Sequence, residues 1–592
     1  MDNTDNNAVL EYIDKFSSMF NSMVKEALSR KLDDSDFQPQ TLFNADKFAE
    51  LLSQDVKVDT AKLMSQQMAF MEKQAELWQN ATRAMLGEKV EPIVEGDKKD
   101  KRFADGEWEE NPVFNYLKQA YLLNSEMLES MISTMHFTDQ KVEEQVKFYT
   151  RQYINSVSPT NSILTNPEVC REILDTKGRN LVKGLNNFLG DLEKSTPDAF
   201  RITQTPEDAF ELGVDLATTE GQVVYQNDLI QLIHYQPTTD TVFQTPVLIT
   251  PPFINKYYVL DLDQRKSLLR WLVSQGYSTF VISWVNPDES LAHKTLDSYV
   301  EEGPLAAMNV VKKITQSKKV NMVGWCIGGT VLSIATAYLR SIDDDSVNSM
   351  TLLTTLLDFE QPGEIGNYLN DHMVRYVEQS SDTKGVFDGR IMGLSFSLLR
   401  ENNLFWSYFI NNYLKGKDPA AFDLLYWNSD ATNLPSATFK QYLRNTYLDN
   451  KLKEPNQVFF KGTPIDLSKI DVPTYLLATM ADHIVLWQSA FQSTKLISGP
   501  LRFVLAGSGH LAGVVNPVEG GKYPHWVNDT ISDDPEHWLE TADKREGSWW
   551  PDWHLWLQPM SGEQVKPKQP GKSKTYPAIE PAPGSYVKKR LD

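Results

Sequence analysis

The chain has 592 residues, 41% of them hydrophobic, with 14 Trp, 23 Tyr and 27 Phe and a formal net charge of −21. That length and aromatic content exclude a disordered or fibrous chain, and the charge argues against sequence-blind nucleic-acid binding. The two cysteines, Cys170 and Cys326, exclude a disulfide framework and suit a reducing cytosol.

Residues 1–7 carry neither the basic nor the apolar segment of a secretory signal, and no apolar run reaches the ~18 residues that span a bilayer. Residues 1–205 read as a mostly helical N-terminal domain. Met64, Met68, Met71, Ala75, Trp78 and Met85 follow a 4-3-4-3 spacing with Thr82 as the polar interruption. That is one apolar stripe on a helix, expected to pack and also suited to an adaptable partner surface. Val142, Val146, Tyr149 and Tyr153 form a second stripe that Ser158 and Pro159 stop. The charge run 96–102 between them predicts a solvated loop.

From 206 to 592 the pattern changes. Val223 to Tyr225 and Leu229 to Ile233 flank Asn227 and Asp228 as a hairpin would. Strand-like runs at 247–250, 280–282, 320–323 and 349–353 then alternate with helical stretches at 264–275 and 299–315. Continuous apolar strands separated by helices predict a parallel sheet covered on both faces. The rhythm breaks over 361–450, an aromatic-rich stretch read as a cap inserted over the strand ends, where α/β active sites lie. Strands resume at 474–478 and 502–505. Trp549, Trp550 and Trp553 predict a core or docking cluster, followed by a Lys/Pro/Gly segment and an ordered stretch at 576–580.

The strand at 320–323 leads into Gly324-Trp325-Cys326-Ile327-Gly328-Gly329 and then a helical run. This is the layout of a nucleophile elbow with cysteine in the nucleophile's place. A buried hydrophobic role for Cys326 is the plain alternative. A thiol nucleophile needs a base and a group that orients the base. In α/β-hydrolases these follow in the order nucleophile, acid, histidine, each on a loop after a strand. Asp482 follows the strand at 474–478, and His510 follows the one at 502–505 in a Gly507-Ser508-Gly509 loop. His483 competes with His510 as the base, although a neighbour of Asp482 on an extended segment points away from it. The amides of Ile327 and, from the 251–258 loop, Ile254 are the expected oxyanion-hole donors. A thiolate attacks thioesters readily, and its acyl adduct stays activated toward an alcohol as well as water, which favours acyl transfer over hydrolysis. Nothing in the sequence has metal-ligand spacing, a Walker loop or a dinucleotide fingerprint, so neither a metal nor a protein-held cofactor is expected.

With these motifs, 251–262, the Gly-x-Cys-x-Gly-Gly elbow, 422–428, 482–487, 507–510, 547–553 and 579–584, the chain resembles the class I polyhydroxyalkanoate synthases over nearly its whole length. The resemblance implies an α/β-hydrolase fold with a cap, preceded by the helical domain. It implies an acyltransferase that polymerises (R)-3-hydroxyacyl-CoA, 3-hydroxybutyryl-CoA favoured, and releases CoA as part of the substrate rather than as a cofactor. In that scheme Cys326 carries the chain, His510 activates the thiol, and Asp482 completes the triad and helps deprotonate the incoming 3-hydroxyl. Trp427, Asp261 and His483 are the candidate substrate or lid residues, with Phe405, Trp406 and Tyr408 helping to keep water from Cys326. A homodimer in the cytoplasm at polyester granules is implied, with the granule surface and granule-associated proteins as partners and neither nucleic acid nor a transmembrane segment. Leu486 stands where the family has proline, and Phe253 where it has a small residue. A thioesterase or polyester hydrolase on the same fold, or a catalytically dead granule protein, remain the alternatives.

Overall fold

The computed structural model describes residues 56–591 apart from 98, 197, 198 and 370. The signal-peptide reading of residues 1–7, and the helical reading of everything before 56, lie outside the described residues. By its internal contacts the chain forms two units, 1–204 with 394–420, and 205–393 with 421–592. Residues 394–420, read from sequence as part of the cap, instead pack with the N-terminal helices.

The first unit is built on α1 (Thr60–Met85), α2 (Pro112–Ile132), α3 (Gln140–Ser156), α4 (Pro167–Thr176) and α5 (Arg179–Lys194). Asp59 caps α1 by accepting from the Lys62 amide, Asn111 and Pro112 start α2, and α3 ends before Pro159. The inward face of α1 is Leu77 and Ala81, not the methionine stripe. Met64, Met68, Met71, Trp78 and Met85 are 61–68% exposed, because residues one apart sit ~100° apart around a helix and α2 takes the Leu77 side. In the charge run Gly96, Asp97, Lys99 and Lys101 are exposed, as the expected solvated loop would be, while Asp100 and Arg102 are half-buried. Arg102 pairs with Asp100 and reaches Tyr121, Asn155 and Asn402. Residues 394–420 are held here by Phe409 and Leu414 against Val169, Ile173, Leu181 and Leu185, and by the Tyr413 hydroxyl donating to Asp191.

The second unit is organised by one eleven-stranded sheet. Its strands are β1 (Gly221–Gln226), β2 (Ile230–Tyr235), β3 (Val247–Thr250), β4 (Thr279–Trp284), β5 (Val320–Trp325), β6 (Val347–Leu353), β7 (Thr474–Thr479), β8 (Leu501–Ala506), β9 (His525–Val527), β10 (Asp543–Arg545) and β11 (Glu580–Pro581). The spatial order is β10-β9-β8-β7-β6-β5-β3-β4-β2-β1-β11. Strands β3 to β8 pair in parallel, and the flanking strands antiparallel. Alternate residues feed two buried layers. Leu248, Phe280, Ile282, Met322 and Leu352 enter one, and Val247, Ile249, Val281, Val323 and Leu353 the other. This is the α/β-hydrolase architecture, and the neighbouring of β3 and β5 makes the switch point where such sheets open a crevice.

Helices α6 (Leu268–Ser274), α7 (Ala306–Thr315) and α8 (Ile327–Ser341) cover the sheet. The 264–275 helix begins only at Leu268, because Asp263 first accepts from the Arg265 and Lys266 amides in a turn and Ser267 then caps α6. The single helix expected over 299–315 is broken by a π-turn at Glu301–Leu305 containing Pro304, which has no amide hydrogen to donate. The cap contains α9 (Asp371–Lys384), α10 (Asp423–Ser429) and α11 (Ser436–Leu443), and the tryptophan motif starts α12 (Trp550–Leu557).

Candidate active site

Strand β5 is buried throughout and delivers Cys326 to the sharp turn before α8. Cys326 has φ 52° and ψ −127°, a conformation L-residues adopt at a cost and that functional turns retain. It is held there by its amide donating to the Leu353 carbonyl at 2.9 Å, and by its own carbonyl accepting from Gly329 at 2.9 Å. A Cβ at Gly324 would overlap Gly329, and one at Gly328 would overlap the Thr250 and Pro251 carbonyl oxygens. The elbow glycines therefore serve close backbone approach. Gly328→Ala is expected to destabilise the protein by about 3 kcal/mol or more, read as a lower denaturation midpoint.

After β7, Asp482 is closed from solvent and placed as an acceptor. Its Oδ1 takes the Ile484 and Val485 amides, both at 2.9 Å, and its Oδ2 takes the Thr479 hydroxyl at 3.1 Å. The same Oδ2 lies 2.7 Å from His510 Nδ1, leaving Nε2 for the thiol. Asp482 thus engages His510, not its neighbour His483. Burial opposes charge on both members. The facing imidazole and the two amides nevertheless hold Asp482 below the usual carboxylate range. Burial would lower His510 too, but the Asp482 carboxylate and the Cys326 sulfur, close enough to act as a hydrogen-bond partner, raise it to about 10.

The histidine is fixed from two sides. The Trp325 ring stacks on it at 6.2 Å and donates Nε1 to Thr354 Oγ1 at 2.8 Å. The Trp549 and Trp550 indoles both donate to the Val514 carbonyl, at 3.1 and 3.0 Å, and Trp549 also reaches Gly513. Asp552 anchors this clamp by accepting from Tyr475, Arg502 and Arg545. The buried tryptophan motif therefore sets the loop that carries His510.

Ile327 is the first residue of α8, whose opening amides have no intrahelical acceptor. Gly328 lies against the Thr250 and Pro251 carbonyls, which brings the start of the loop that carries Ile254 to the elbow. Thr432 Oγ1 donates to the Phe253 and Ile254 carbonyls at 3.0 and 2.6 Å. Phe253 itself is buried against Trp284 and Tyr299, and Leu486 keeps a φ of −54° that proline would share.

The remaining candidates are placed differently from expectation. Trp427 is buried, its Nε1 donating to the Lys256 carbonyl at 2.6 Å, so it braces the 251–258 loop. Asp261 is enclosed and accepts from the Thr219 amide and hydroxyl at 3.1 and 2.6 Å, which makes it a loop anchor rather than a substrate contact. His483 is partly exposed and its carbonyl receives the Glu364 amide. Phe405, Trp406 and Tyr408 lie in the other unit. Tyr442 and Tyr447 are close enough to Cys326 to interact with it electrostatically, and burial above all holds their phenols well above their usual pKa. Phe359 packs on both rings, and Asn450 ties the Phe359 amide at 2.8 Å. Tyr442 and Tyr447 lie 14 and 19 residues beyond the 422–428 motif, which gave no sign of this. Among the described residues no three His, Cys, Asp or Glu side chains gather as metal ligands.

Residues 99–272 match the family described as the N-terminus of poly-beta-hydroxybutyrate polymerase, and 246–517 match the alpha/beta hydrolase fold. The chain is 42% identical to the poly(3-hydroxyalkanoate) polymerase subunit PhaC of Cupriavidus necator, over 90% of this chain and 89% of that one. It is 39% identical to the protein of the same name from Rhizobium meliloti, over 92% and 90%. It is 41% identical to the poly(3-hydroxyalkanoate) polymerase of Methylorubrum extorquens, over 90% and 87%.

Proposed function

The chain belongs to the poly(3-hydroxyalkanoate) polymerase family, and on that premise we propose that it polymerises (R)-3-hydroxyacyl-CoA through an acyl-Cys326 intermediate, 3-hydroxybutyryl-CoA being the favoured monomer. The observation that carries this reading is the Asp482–His510 hydrogen bond beside a thiol on a strained elbow. The Cys326 thiolate attacks the thioester carbonyl, the C–S bond to CoA breaks, and His510 Nε2 returns its proton to the leaving thiolate. The 3-hydroxyl of the next 3-hydroxyacyl-CoA then gives its proton to His510, and its oxygen takes the acyl group from the sulfur. The freed Cys326 thiolate attacks the thioester of the lengthened chain, taking it back as CoA leaves with the proton from His510. Asp482 has a fully closed side chain and four acceptor contacts. These features favour Asp482 acting through His510 over direct removal of the hydroxyl proton.

The amides of Ile327 and Ile254 would receive the oxyanion. Tyr442, Tyr447 and Phe359 supply the water-excluding wall that an activated acyl-enzyme needs. Neither a bound cofactor nor a metal enters these steps, and CoA comes and goes as part of the substrate. The test is CoA release over 3-hydroxyacyl-CoAs of increasing length with the product weighed. Insoluble polyester supports the reading, and free hydroxy acid in equal amount to CoA would make the protein a thioesterase.

The reading extends to a class I enzyme that works as a homodimer at cytoplasmic polyester granules. The exposed methionine face of α1 supports attachment to an apolar polyester surface. Among the described residues no helix is long and apolar enough to cross a membrane. Met64→Ser combined with Met68→Ser and Met71→Ser is expected to move most of the enzyme from sedimented polymer to the supernatant. CoA release from soluble monomer should remain within about twofold.

A further inference from the structure

The loop that carries Ile254 is bound to a buried charge cluster that the triad chemistry does not use. Lys256 Nζ lies 2.7 Å from Asp430 Oδ1, with the two side chains 2% and 1% exposed. Tyr258 donates its hydroxyl to the other carboxylate oxygen at 3.0 Å. Asp430 ends the α10 segment whose Trp427 and Thr432 hold the Lys256, Phe253 and Ile254 carbonyls.

The third side of the cluster comes from far along the chain. The Lys589 carbonyl accepts from Lys256 Nζ at 3.0 Å and from Asn286 Nδ2 at 3.4 Å. Arg590 Nε lies 3.7 Å from Asp430 Oδ1, with the guanidinium 4.4 Å over the Tyr426 ring. Lys589 Nζ is fixed by Asp288 at 2.7 Å, and Tyr257 donates its hydroxyl to the Pro583 carbonyl at 3.4 Å. Buried charges persist where each is paired and its remaining donors are satisfied. Lys256 brings three donors to this place, and the carboxylate and the Lys589 carbonyl occupy two of them. The 583–590 segment therefore completes the pairing that fixes the 251–258 loop.

We propose that Lys589 and Arg590 are positioning residues for the reaction. Acting through Lys256 and Asp430, they hold the 251–258 loop where its amide meets the developing oxyanion. This rests on the acyl-transfer reading above. Losing one oxyanion donor outright costs ~10²- to 10³-fold in rate, and a loosened loop should cost a part of that.

The test uses the full chain, a chain stopped after Lys588, Arg590→Ala and Arg590→Lys, each assayed for CoA release from 3-hydroxybutyryl-CoA and for thermal unfolding. For the shortened chain the expected result is a kcat about ten- to a hundredfold lower, KM within about twofold, and a melting temperature within a few degrees of the full chain. Arg590→Ala should fall between the two, and Arg590→Lys, which keeps the cation, should recover most of the lost kcat. If the shortened chain does not fold, the Ala and Lys variants decide. Unchanged kcat in Arg590→Ala overturns the proposal. So does a raised KM at constant kcat, which would make the segment a substrate contact. A lysine variant as slow as the alanine one, with both melting early, would make the segment merely structural. Cys326→Ala, run in parallel, keeps the two ideas separate: CoA release surviving there sinks the acyl-transfer reading, whatever the tail variants do.

Discussion

Cys326→Ala is expected to abolish CoA release from 3-hydroxybutyryl-CoA, a fall of about 10⁴-fold or more, as when the nucleophile of a coupled triad is lost. The substitution removes one sulfur and leaves a Cβ in the same φ 52° turn, so the elbow's strain is the same before and after. The hydrogen bonds that hold the turn come from the Leu353 carbonyl and the Gly329 amide, neither of which touches the sulfur. The variant should therefore fold, melting within a few degrees of the natural protein. Loss of activity in a protein of normal stability separates a nucleophile from a buried cysteine whose role is packing. Cys170, half-buried at the start of α4 and near the Ile163 carbonyl, is the internal control, and Cys170→Ala should leave CoA release unchanged.

The second large effect concerns the pair behind the thiol. His510→Gln and Asp482→Asn are each expected to lower kcat by about 10³- to 10⁴-fold, the first by removing the base and the second by leaving it misoriented. The same pair sets a pH dependence of stability. His510 is raised to about 10 in the folded protein, against about 6.5 when unfolded. Its contribution to stability is thus fully present below about pH 6.5 and lost as pH rises through about 10. Asp482 is lowered, so its contribution is present above the ordinary carboxylate value of about 3.9 and lost only as pH falls through its folded value. The natural protein should accordingly lose melting temperature between about pH 7 and 10. Asp482→Asn removes the carboxylate that holds the imidazolium, so that decline should vanish or move to lower pH. If Asp482 acted directly on the incoming hydroxyl, the same variant would acylate normally and accumulate acyl-enzyme. The closed carboxylate predicts that acylation slows as well.

The parallel strands were legible because a strand buried on both faces is a continuous apolar run, as Val247–Thr250 is. The pairing of Asp482 with His510 was legible because the fold fixes both the chain order and the position after a strand, and His510 stands there beside Gly509. The edge strands Asp543–Arg545 and Glu580–Pro581 were not, being too short to show a period. Trp427 looked like a lid residue from its motif, and only the position of Nε1 on the Lys256 carbonyl shows its bracing role. Tyr442 and Tyr447 were invisible because α11 and the π-turn that follows it decide which phenols come within electrostatic reach of Cys326. The methionine stripe was visible as a stripe. Which side of α1 its neighbours would cover depended on the packing of α2 against Leu77, which no periodicity in α1 encodes.

In the proposed mechanism the growing chain is held on one sulfur. The most direct measurement is the mass of the peptide containing Cys326 after turnover on 3-hydroxybutyryl-CoA is quenched in acid. The account predicts a series of adducts on that peptide, spaced by one hydroxyacyl unit and removed by hydroxylamine as thioesters are. An unmodified Cys326 peptide during steady CoA release, or the same series on another residue, would contradict it.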